Sequence, residues 1–336
     1  MLSLVLEDIN DLMVKEKDMP QVNSDEVLVH VHACGICGSD IPRSYKDGAH
    51  NMPLVIGHEF SGEVVEAEDA SLVGKRVGIF PLIPCGECES CKKKAYEMCK
   101  DYGYLGSRRD GGFAEYVTVP KWNLIELPEN VTYEQAAMLE PMAVAVHAIR
   151  KAGLLPVGAE CINPSFDKDI FITVCGQGTI GKLIVMFLKD EGYTNIHSLT
   201  SKTELRDPTN GRGVDVFFEC VGKNETINEA INLTAPGGIV CMVGNPLSDV
   251  SFSQQTYWKV LRNQLKVVGT WNSSFLGCDD ECAINDDWHY VIDRLSKGTI
   301  HPEEFITHRF SLSDIEKGFH VMRDKTESYT KVMAIM

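Results

Sequence analysis

The sequence lacks any apolar run of the roughly 20 residues that a membrane-spanning helix needs. The apolar stretch at residues 136–149 is interrupted by Glu140 and His147. The N-terminal segment is broken by Glu7 and Asp8, and it carries no basic segment or small-residue cleavage site, so no secretory signal is predicted. We therefore expect a soluble, cytoplasmic protein without membrane contact.

Basic residues are also in deficit. The chain has 32 Lys and Arg against 48 Asp and Glu, which gives a formal net charge of −16 at pH 7. A field of this sign repels polyanions, so it argues against nucleic acid as a partner and requires that any bound phosphate be held by local cations.

The length of 336 residues exceeds the usual size of one hydrophobic core and predicts two domains.

The first third of the chain is rich in predicted strands, and the rest alternates between strands and helices. Strands are predicted at Glu26–Val31, Phe60–Ala67, Arg76–Phe80, Phe113–Val119, Phe171–Cys175, Asn195–Leu199, Val214–Cys220 and Gly238–Val243. Helices are predicted at Glu134–Lys151, Thr179–Asp190, Asp287–Lys297 and Ser313–Arg323, the first capped by Thr132. The alternation after residue 170 indicates an α/β domain with a parallel sheet.

Cysteine is abundant, with 12 residues, but a large chain without a signal sequence favours reduced thiols or metal ligands over disulfides. Four of them, Cys85, Cys88, Cys91 and Cys99, form a C-x2-C-x2-C-x7-C pattern. This spacing places four thiolates on one loop, where they can close a tetrahedron around zinc. An iron–sulfur cluster and four unrelated buried thiols are the alternatives. A closed four-thiolate site has no open coordination position, so we predict a structural zinc.

A second set of metal-binding residue types lies earlier in the chain. Cys37 is followed about twenty residues later by His58 and Glu59. A thiolate, an imidazole and a carboxylate are all zinc ligands. Taken alone, a histidine beside a glutamate is more often an ordinary hydrogen-bonded pair than a metal site.

A glycine-rich segment follows the predicted strand Phe171–Cys175 and opens the predicted helix at Thr179. Gly176-Gln-Gly-Thr-Ile-Gly181 in this context is a dinucleotide-binding fingerprint. About twenty residues later the acid that would bind the adenosine ribose is missing, and the chain has Ser201 and Lys202 instead. These two residues suit a 2′-phosphate, so NAD and NADP both remain open.

Together these motifs resemble the zinc-containing medium-chain dehydrogenase family over nearly the whole chain. The resemblance is strongest to the polyol dehydrogenases, including the type that oxidises galactitol 1-phosphate, through residues 39–43, 48–50 and 106–116. It implies a GroES-like β-rich catalytic domain at residues 1–145 and 273–336. It further implies a Rossmann domain, with a doubly wound parallel sheet, at residues 146–272.

The family pattern also implies roles for individual residues. Cys37 and His58 correspond to ligands of a catalytic zinc, Glu140 to a third ligand, and Glu59 to an alternating ligand, which with the four-cysteine loop gives two zinc ions per subunit. Ser39 corresponds to the hydroxyl that relays the alcohol proton to solvent, and Asp40 to a residue that orients His58. Without the resemblance, Ser39 reads as an ordinary turn residue.

Cofactor and substrate positions follow from the same resemblance. The cofactor-binding residues are Gly176, Gly178, Thr179, Ile180, Gly181, Ser201, Lys202, Val221, Val243 and Gly244. Candidate substrate residues are Arg43, His50 and Arg109, with Arg108, Tyr45 and Trp271 beside them, because a guanidinium holds phosphate in a bidentate manner. The alternative for the arginines is pairing with acids such as Asp47 and Asp110.

The nucleotide-binding region departs from the family pattern. The segment Gly158–Pro164 resembles the strand and turn that usually follow the second Rossmann strand, yet here it precedes the glycine fingerprint. Only about ten residues then separate Lys202 from Gly211, too few for another helix and strand. We expect the nucleotide domain to be shortened or rearranged between residues 153 and 213.

The predicted activity is hydride transfer between a secondary alcohol of a polyol or polyol phosphate and NAD or NADP. Oxidation of an unphosphorylated alcohol such as sorbitol or butanediol is one alternative. A catalytically inactive, zinc-stabilised redox sensor that binds the dinucleotide is another. The resemblance also implies a homodimer or homotetramer joined through the nucleotide domain.

Overall fold

The computed structural model of the protein describes residues 1–155, 168–200, 208–278 and 286–336. The chain divides into two compact units, Met1–Glu140 with Ser274–Met336, and Pro141–Ser273. The predicted domain boundaries near residues 145 and 272 stay a prediction. Within the described ranges, no helix is both long enough and apolar enough to cross a bilayer.

The elements up to residue 151 are mostly short strands. They are β1 (Leu2–Asp8), β2 (Asp11–Glu16), β3 (Glu26–Gly35), α1 (Asp40–Pro42), β4 (Leu54–Val55), β5 (Glu59–Ala67), β6 (Arg76–Ile79), β7 (Leu82–Ile83), α2 (Glu89–Lys92), β8 (Gly103–Tyr104), β9 (Tyr116–Pro120), β10 (Leu124–Glu126), α3 (Tyr133–Ala137) and α4 (Leu139–Lys151).

The described elements after residue 168 begin with alternating strands and helices. They are β11 (Ile172–Cys175), α5 (Thr179–Asp190), β12 (Ile196–Leu199), β13 (Val214–Glu219), α6 (Asn224–Leu233), β14 (Thr234–Met242), α7 (Gln254–Arg262), β15 (Lys266–Gly269), α8 (Asp287–Lys297), β16 (Ile306–Ser311), α9 (Ile315–Asp324) and β17 (Lys331–Ile335).

The first unit is built around a sheet in the order β10-β6-β5-β3-β17-β16, with β9 also paired to β3. The long strand β3 pairs antiparallel with β5, β9 and β17. Its apolar side chains join a core that includes Val29, Val31 and Phe60, all at most 1% exposed. Because β3 and β5 are antiparallel, the end of β3 and the start of β5 lie side by side, which brings Cys37 close to His58.

One predicted helix is two helices. The sequence predicted a continuous helix over Glu134–Lys151, whereas α3 ends at Ala137 and α4 starts at Leu139. Pro141 explains the break, because a proline inside a helix has no N–H to donate and its ring clashes with the carbonyl four residues earlier. In α4 it occupies the first turn, where both defects are tolerated. The predicted cap is confirmed, since Thr132 and Gln135 form a reciprocal capping box.

The second unit holds a five-stranded, all-parallel sheet in the order β12-β11-β13-β14-β15. A standard Rossmann sheet runs 3-2-1-4-5-6. With β11 as strand 1, the described residues supply strands 2-1-4-5-6 and no strand 3. The prediction of a parallel α/β domain is confirmed. The expected shortening between residues 153 and 213 stays a prediction, because much of that interval lies outside the described residues.

Candidate active site

The four predicted zinc thiols meet in one cluster of the first unit. Cys88 caps α2 and Cys91 lies within it, while Cys85 and Cys99 approach from the flanking loops. The sulfur of Cys91 is 3.5 Å from that of Cys88 and 3.9 Å from that of Cys85. The sulfurs of Cys88 and Cys99 are also 3.9 Å apart.

These separations match a tetrahedral zinc site. A Zn–S bond of about 2.3 Å places the sulfurs of a regular tetrahedron about 3.8 Å apart. Backbone N–H groups of Lys100 and Cys91 directed at the Cys88 sulfur lower the pKa of that thiol to about 6, which favours the thiolate. Burial raises the pKa of the Cys91 thiol to about 12 and also raises that of Cys99, so the fit to a structural zinc rests on the geometry of the four sulfurs.

The second cluster starts from the turn that follows β3. The N–H of Cys37 donates to Oδ2 of Asp40 at 3.0 Å, and the Asp40 N–H donates to the Cys37 carbonyl at 3.0 Å. This reciprocal pair holds the turn closed. The exposed Ser39 places its hydroxyl 3.2 Å from the Cys37 sulfur, so it connects the thiol with solvent.

His58 reaches the same point from the start of β5. Gly57 before it has φ +100°, and a Cβ there would lie 2.5 Å from the Phe113 ring, so only glycine permits this approach. The sulfur of Cys37 and one ligand atom each of His58 and Glu59 lie within 4.8 Å of one another. The structure therefore brings these three predicted ligands together.

Asp40 lies behind the histidine as the sequence analysis expected. The carboxylate is fully buried, and its Oδ1 lies 3.5 Å from Nδ1 of His58. The same Oδ1 accepts a hydrogen bond from Nη1 of Arg43. Asp40 therefore links the Cys37 backbone to the Arg43 guanidinium and lies beside the His58 ring.

A buried lysine that the sequence analysis missed completes the cluster. Lys331, at the start of β17, is 2% exposed and forms an ion pair with Oε2 of Glu59. Its ammonium also donates to the Ile36 carbonyl at 3.1 Å. The only local signal is a lysine that begins an otherwise apolar strand, Lys-Val-Met-Ala-Ile. The pair anchors one oxygen of Glu59, and the other oxygen is available to a metal.

Glu140 contributes a further carboxylate to this region. Its Oε1 accepts a hydrogen bond from the Tyr104 hydroxyl at 3.2 Å, and the Tyr104 ring meets the His58 ring edge to face at 5.7 Å. Burial raises the pKa of Glu140, and the nearby His58 opposes that shift. Glu140 is therefore a neighbour of the cluster, although it does not lie within the 4.8 Å group of Cys37, His58 and Glu59.

The composition of this cluster fits a divalent cation. Burial raises the pKa of the Cys37 thiol, and the carboxylates of Asp40 and Glu140 raise it further. A thiol and several acids share a buried space in which a doubly charged ion would offset their repulsion and desolvation. One sulfur, one imidazole and a carboxylate oxygen form the mixed donor set that zinc accepts while one position stays open.

The predicted substrate residues are distributed unevenly. Arg43 is connected to the Cys37 cluster because its guanidinium donates a hydrogen bond to Asp40. The guanidinium of Arg108 stacks over Tyr102, which meets Tyr104 edge to face at 6.1 Å. His50 is exposed on the loop before β4.

Arg109 and the two aromatic candidates are not part of the cluster. The Arg109 guanidinium pairs with Glu26 at the start of β3, whereas Cys37 follows the other end of that strand. The predicted alternative, pairing with an acid, holds for Arg109 and also for Arg43, although the acids are Glu26 and Asp40. Asp110 pairs with Lys17 instead. Tyr45 packs under Arg323. Trp271 is 58% exposed in the second unit.

In the second unit, the glycine fingerprint forms the turn between β11 and α5. Gly176 has φ +110°, and its N–H donates to the Leu199 carbonyl at 2.8 Å. A Cβ on Gly181 would lie 1.8 Å from the Gly176 carbonyl oxygen, so a side chain there would displace the turn. The first turn of α5, with Thr179 and Ile180, starts directly at this loop.

Glu219 organises the two neighbouring strand-end turns, and the sequence analysis missed it. Its buried carboxylate accepts hydrogen bonds from the N–H groups of Val221 and Gly222, at 3.0 to 3.1 Å, and from the Thr226 hydroxyl at 2.7 Å. Its backbone carbonyl accepts from the N–H groups of Val243 at 2.9 Å and Gly244 at 2.8 Å. One residue therefore holds three of the predicted cofactor positions, Val221, Val243 and Gly244.

Two predicted cofactor residues, Ser201 and Lys202, lie outside the described residues, as does the segment Gly158–Pro164. The described part of the second sheet ends on this side at Leu199 of β12.

Comparisons with known families agree with both units. The alcohol dehydrogenase GroES-like domain matches residues 23–129, and the zinc-binding dehydrogenase domain matches residues 186–297. The predicted combination of a GroES-like domain with a Rossmann domain is therefore confirmed.

Two similar proteins indicate the branch of the family. Galactitol 1-phosphate 5-dehydrogenase of Escherichia coli (strain K12) is 30% identical over 329 residues, covering 89% of this chain and 89% of that protein. L-Idonate 5-dehydrogenase of Vitis vinifera is 31% identical over 337 residues, covering 93% and 88%.

Solved structures agree with this placement. The crystal structure of galactitol-1-phosphate dehydrogenase from Escherichia coli matches with a TM-score of 0.86, 28% identity and full coverage of both chains. A zinc-binding dehydrogenase from Sinorhizobium meliloti 1021 bound to NADP matches at 0.84 and 26% identity, over 100% of this chain and 99% of that one. An alcohol dehydrogenase from Escherichia coli CFT073 complexed with NADH gives the same values. The chain therefore belongs to the zinc-dependent medium-chain alcohol and polyol dehydrogenases, a family of NAD(P)-linked enzymes.

Proposed function

We propose that the protein oxidises a secondary alcohol of a polyol or polyol phosphate, transferring hydride from the carbinol carbon to NAD or NADP. The observation that carries this proposal is the buried cluster of Cys37, His58 and Glu59, with the Ser39 hydroxyl 3.2 Å from the Cys37 sulfur. Binding a dinucleotide alone requires neither these ligands nor a hydroxyl that links them to solvent.

We propose that Cys37 and His58 hold the catalytic zinc, with Glu59 or Glu140 as the carboxylate ligand, and that Cys85, Cys88, Cys91 and Cys99 hold the structural one. When bound at the open site, zinc supplies a Lewis acid that lowers the pKa of the substrate hydroxyl. Ser39 accepts the hydroxyl proton and passes it to water, because it is exposed on its other side. Asp40 keeps the His58 ring oriented.

The cofactor is assigned to the strand-end turns of the second unit. The first turn of α5 offers backbone N–H groups to a pyrophosphate, and the turns at Val221 and Gly244 approach the same end of the parallel sheet. Ser201 and Lys202 remain the proposed contacts to a 2′-phosphate. Turnover with NADP at much lower KM than with NAD would support them, and a strong preference for NAD would contradict them.

The phosphate of a phosphorylated substrate is assigned to the arginines near the cluster. Arg43 uses one guanidinium nitrogen for Asp40, and Arg108 presents a flat guanidinium stacked on Tyr102. Because the chain has a net charge of −16 and repels anions overall, a bound phosphate requires local cations, and these two guanidinium groups supply them near the Cys37 cluster. Arg109 is a poorer candidate because its partner Glu26 is not part of the Cys37 cluster, whereas Asp40, the partner of Arg43, contacts it.

The deciding experiment follows reduced nicotinamide by absorbance with zinc-loaded protein. NAD and NADP are offered in parallel with galactitol 1-phosphate, sorbitol and 2,3-butanediol. Turnover of the phosphorylated polyol alone, lost in Arg43→Ala and Arg108→Ala but not in Arg212→Ala of the second unit, supports the phosphate assignment. Turnover of unphosphorylated alcohols moves the assignment to the general polyol branch. Dinucleotide binding without turnover of any substrate would contradict the proposed dehydrogenase activity and favour a redox sensor.

We also propose that the protein is a homodimer or homotetramer joined through the second unit. The residues around edge strand β15 expose Leu247, Tyr257, Leu261 and Trp271, each at least 55% accessible. An exposed apolar patch beside a sheet edge is a typical contact surface. Light scattering of the wild type and of Leu261→Glu tests this proposal, since a monomer in both would contradict it. A cytoplasmic location stays a prediction.

A further inference from the structure

A second group of reactive side chains lies in the first unit, away from the residues assigned to zinc. Cys278 is the only exposed cysteine among the ten in the described residues. Its thiol donates to the Leu124 carbonyl at 3.2 Å, which fixes the position of the sulfur. A side-chain hydrogen bond also joins this thiol to His289 of α8.

The histidine is held in turn by a buried carboxylate. Nδ1 of His289 lies 3.0 Å from both oxygens of Asp286, which is only 2% exposed and caps α8. The imidazole that is held by Asp286 at Nδ1 is the same one that is hydrogen-bonded to the Cys278 thiol. The arrangement is a thiol, an imidazole and a carboxylate in series, the order in which cysteine nucleophiles are activated.

The surroundings make this arrangement rigid. Asp286 also accepts from the Leu276 N–H at 2.8 Å, so the segment that carries Cys278 is tied to the start of α8. Phe275 stacks on the His289 ring with an interplanar angle of 3°, and it is buried among other aromatic rings. The three groups are therefore held by packing and backbone hydrogen bonds.

The charge on His289 supports the same arrangement. Burial opposes a charge on His289, but the hydrogen bonds with Asp286 and Cys278 outweigh it and raise the pKa to about 9. At neutral pH the ring is therefore a cation that donates to the sulfur. An imidazolium beside a cysteine stabilises the thiolate, which is the form that attacks disulfides.

We propose that Cys278, His289 and Asp286 form a reactive-thiol site that exchanges with small disulfides of the glutathione class. The Cys278 thiolate attacks one sulfur of the disulfide, so a mixed disulfide forms at Cys278 and the original S–S bond breaks. The released thiolate takes up a proton and leaves as a thiol. No net oxidant other than the disulfide is consumed.

The test uses full-length, zinc-loaded protein in a Cys161→Ser/Cys282→Ser background, because both of those cysteines lie outside the described residues. The protein is incubated with oxidised glutathione between pH 6 and 9, and intact mass and peptide mapping follow the mixed disulfide. We expect one adduct, at Cys278, forming at pH 7 about 10-fold faster than on an unperturbed cysteine, whose pKa is about 8.5. Cys278→Ser should form none.

Matched variants distinguish activation of the Cys278 thiol by His289 from the simple exposure of that thiol to solvent. His289→Gln keeps a hydrogen-bonding side chain but loses the charge, so its rate at pH 7 should fall about 10-fold and its pH midpoint should move up towards 8.5. His301→Gln changes an exposed histidine elsewhere in the unit and should leave the rate unchanged. Asp286→Asn should act in the same direction as His289→Gln, and it provides a second test if His289→Gln melts early. An adduct at another cysteine, or a His289→Gln profile equal to that of the parent, would overturn the proposal.

Discussion

The two thiol-containing clusters of the first unit are built in opposite ways. The four-cysteine cluster comes from one stretch, Cys85 to Cys99, and its sulfurs mainly contact one another. The Cys37 cluster draws on residues as distant in sequence as Glu59 and Lys331, 272 positions apart, and it contains buried charges of both signs. A local, closed cluster is suited to holding a loop, whereas a long-range, charged cluster depends on the whole fold and suits chemistry.

The largest effect is expected when a cysteine is removed from the closed four-cysteine cluster. Cys91→Ser should lower the free energy of unfolding by about 5 kcal/mol, because a structural zinc contributes its binding energy to folding. Thermal melting and metal analysis measure the loss. Cys241→Ala, a buried cysteine of the second unit, is the control. A Cys91→Ser protein that melts like the control would show that the cluster holds no structural metal.

Removing a ligand from the open cluster should have a different consequence. His58→Ala should lower kcat/KM about 1000-fold, or about 4 kcal/mol, because the Lewis acid is lost while the fold persists. Metal content should fall from two zinc ions to one per chain. His301→Ala, at an exposed histidine, should retain both. Full activity in His58→Ala would remove the catalytic assignment from this cluster.

The buried ion pair tests how far the second cluster depends on distant residues. Lys331→Met leaves Glu59 buried without its partner and should destabilise the protein by about 3 kcal/mol in urea unfolding. The double variant Glu59→Gln/Lys331→Met should recover part of that loss. Lys317→Met, which removes an exposed ion pair with Asp314, is the comparison and should change the stability little. Equal losses in Lys331→Met and Lys317→Met would contradict a structural role for the pair.

The smallest expected effect sharpens the role of Asp40. Asp40→Asn should lower kcat/KM about 10-fold to 100-fold, because a weaker acceptor behind Nδ1 orients His58 less well. The zinc content at the four thiols should stay constant. An effect confined to thermal stability, with kcat/KM per folded molecule unchanged, would make Asp40 a residue of the turn alone.

The closed cluster and the glycine fingerprint were predictable because each is specified within about fifteen residues. The spacing of the cysteines and the position of Gly176 between a strand and a helix are local patterns, and α5 and α8 have the predicted bounds. Lys331 was not predictable, since no local pattern connects a strand near the C-terminus with Glu59. The partner of Arg109 was also hidden, because Glu26 lies 83 positions earlier and no local pattern connects the two residues.

Glu219 has a practical consequence for altering cofactor preference. Its carboxylate and backbone carbonyl hold the turns at Val221, Gly222, Val243 and Gly244. Glu219 itself is not among the residues predicted to contact a ligand. A library that randomises these turns changes side chains on a backbone that Glu219 already holds in place. A substitution at Glu219 itself would release that backbone, and a screen would record the result as a loss of dinucleotide affinity. Engineering of the nucleotide site should therefore keep Glu219 fixed and place its diversity in side chains that project away from it.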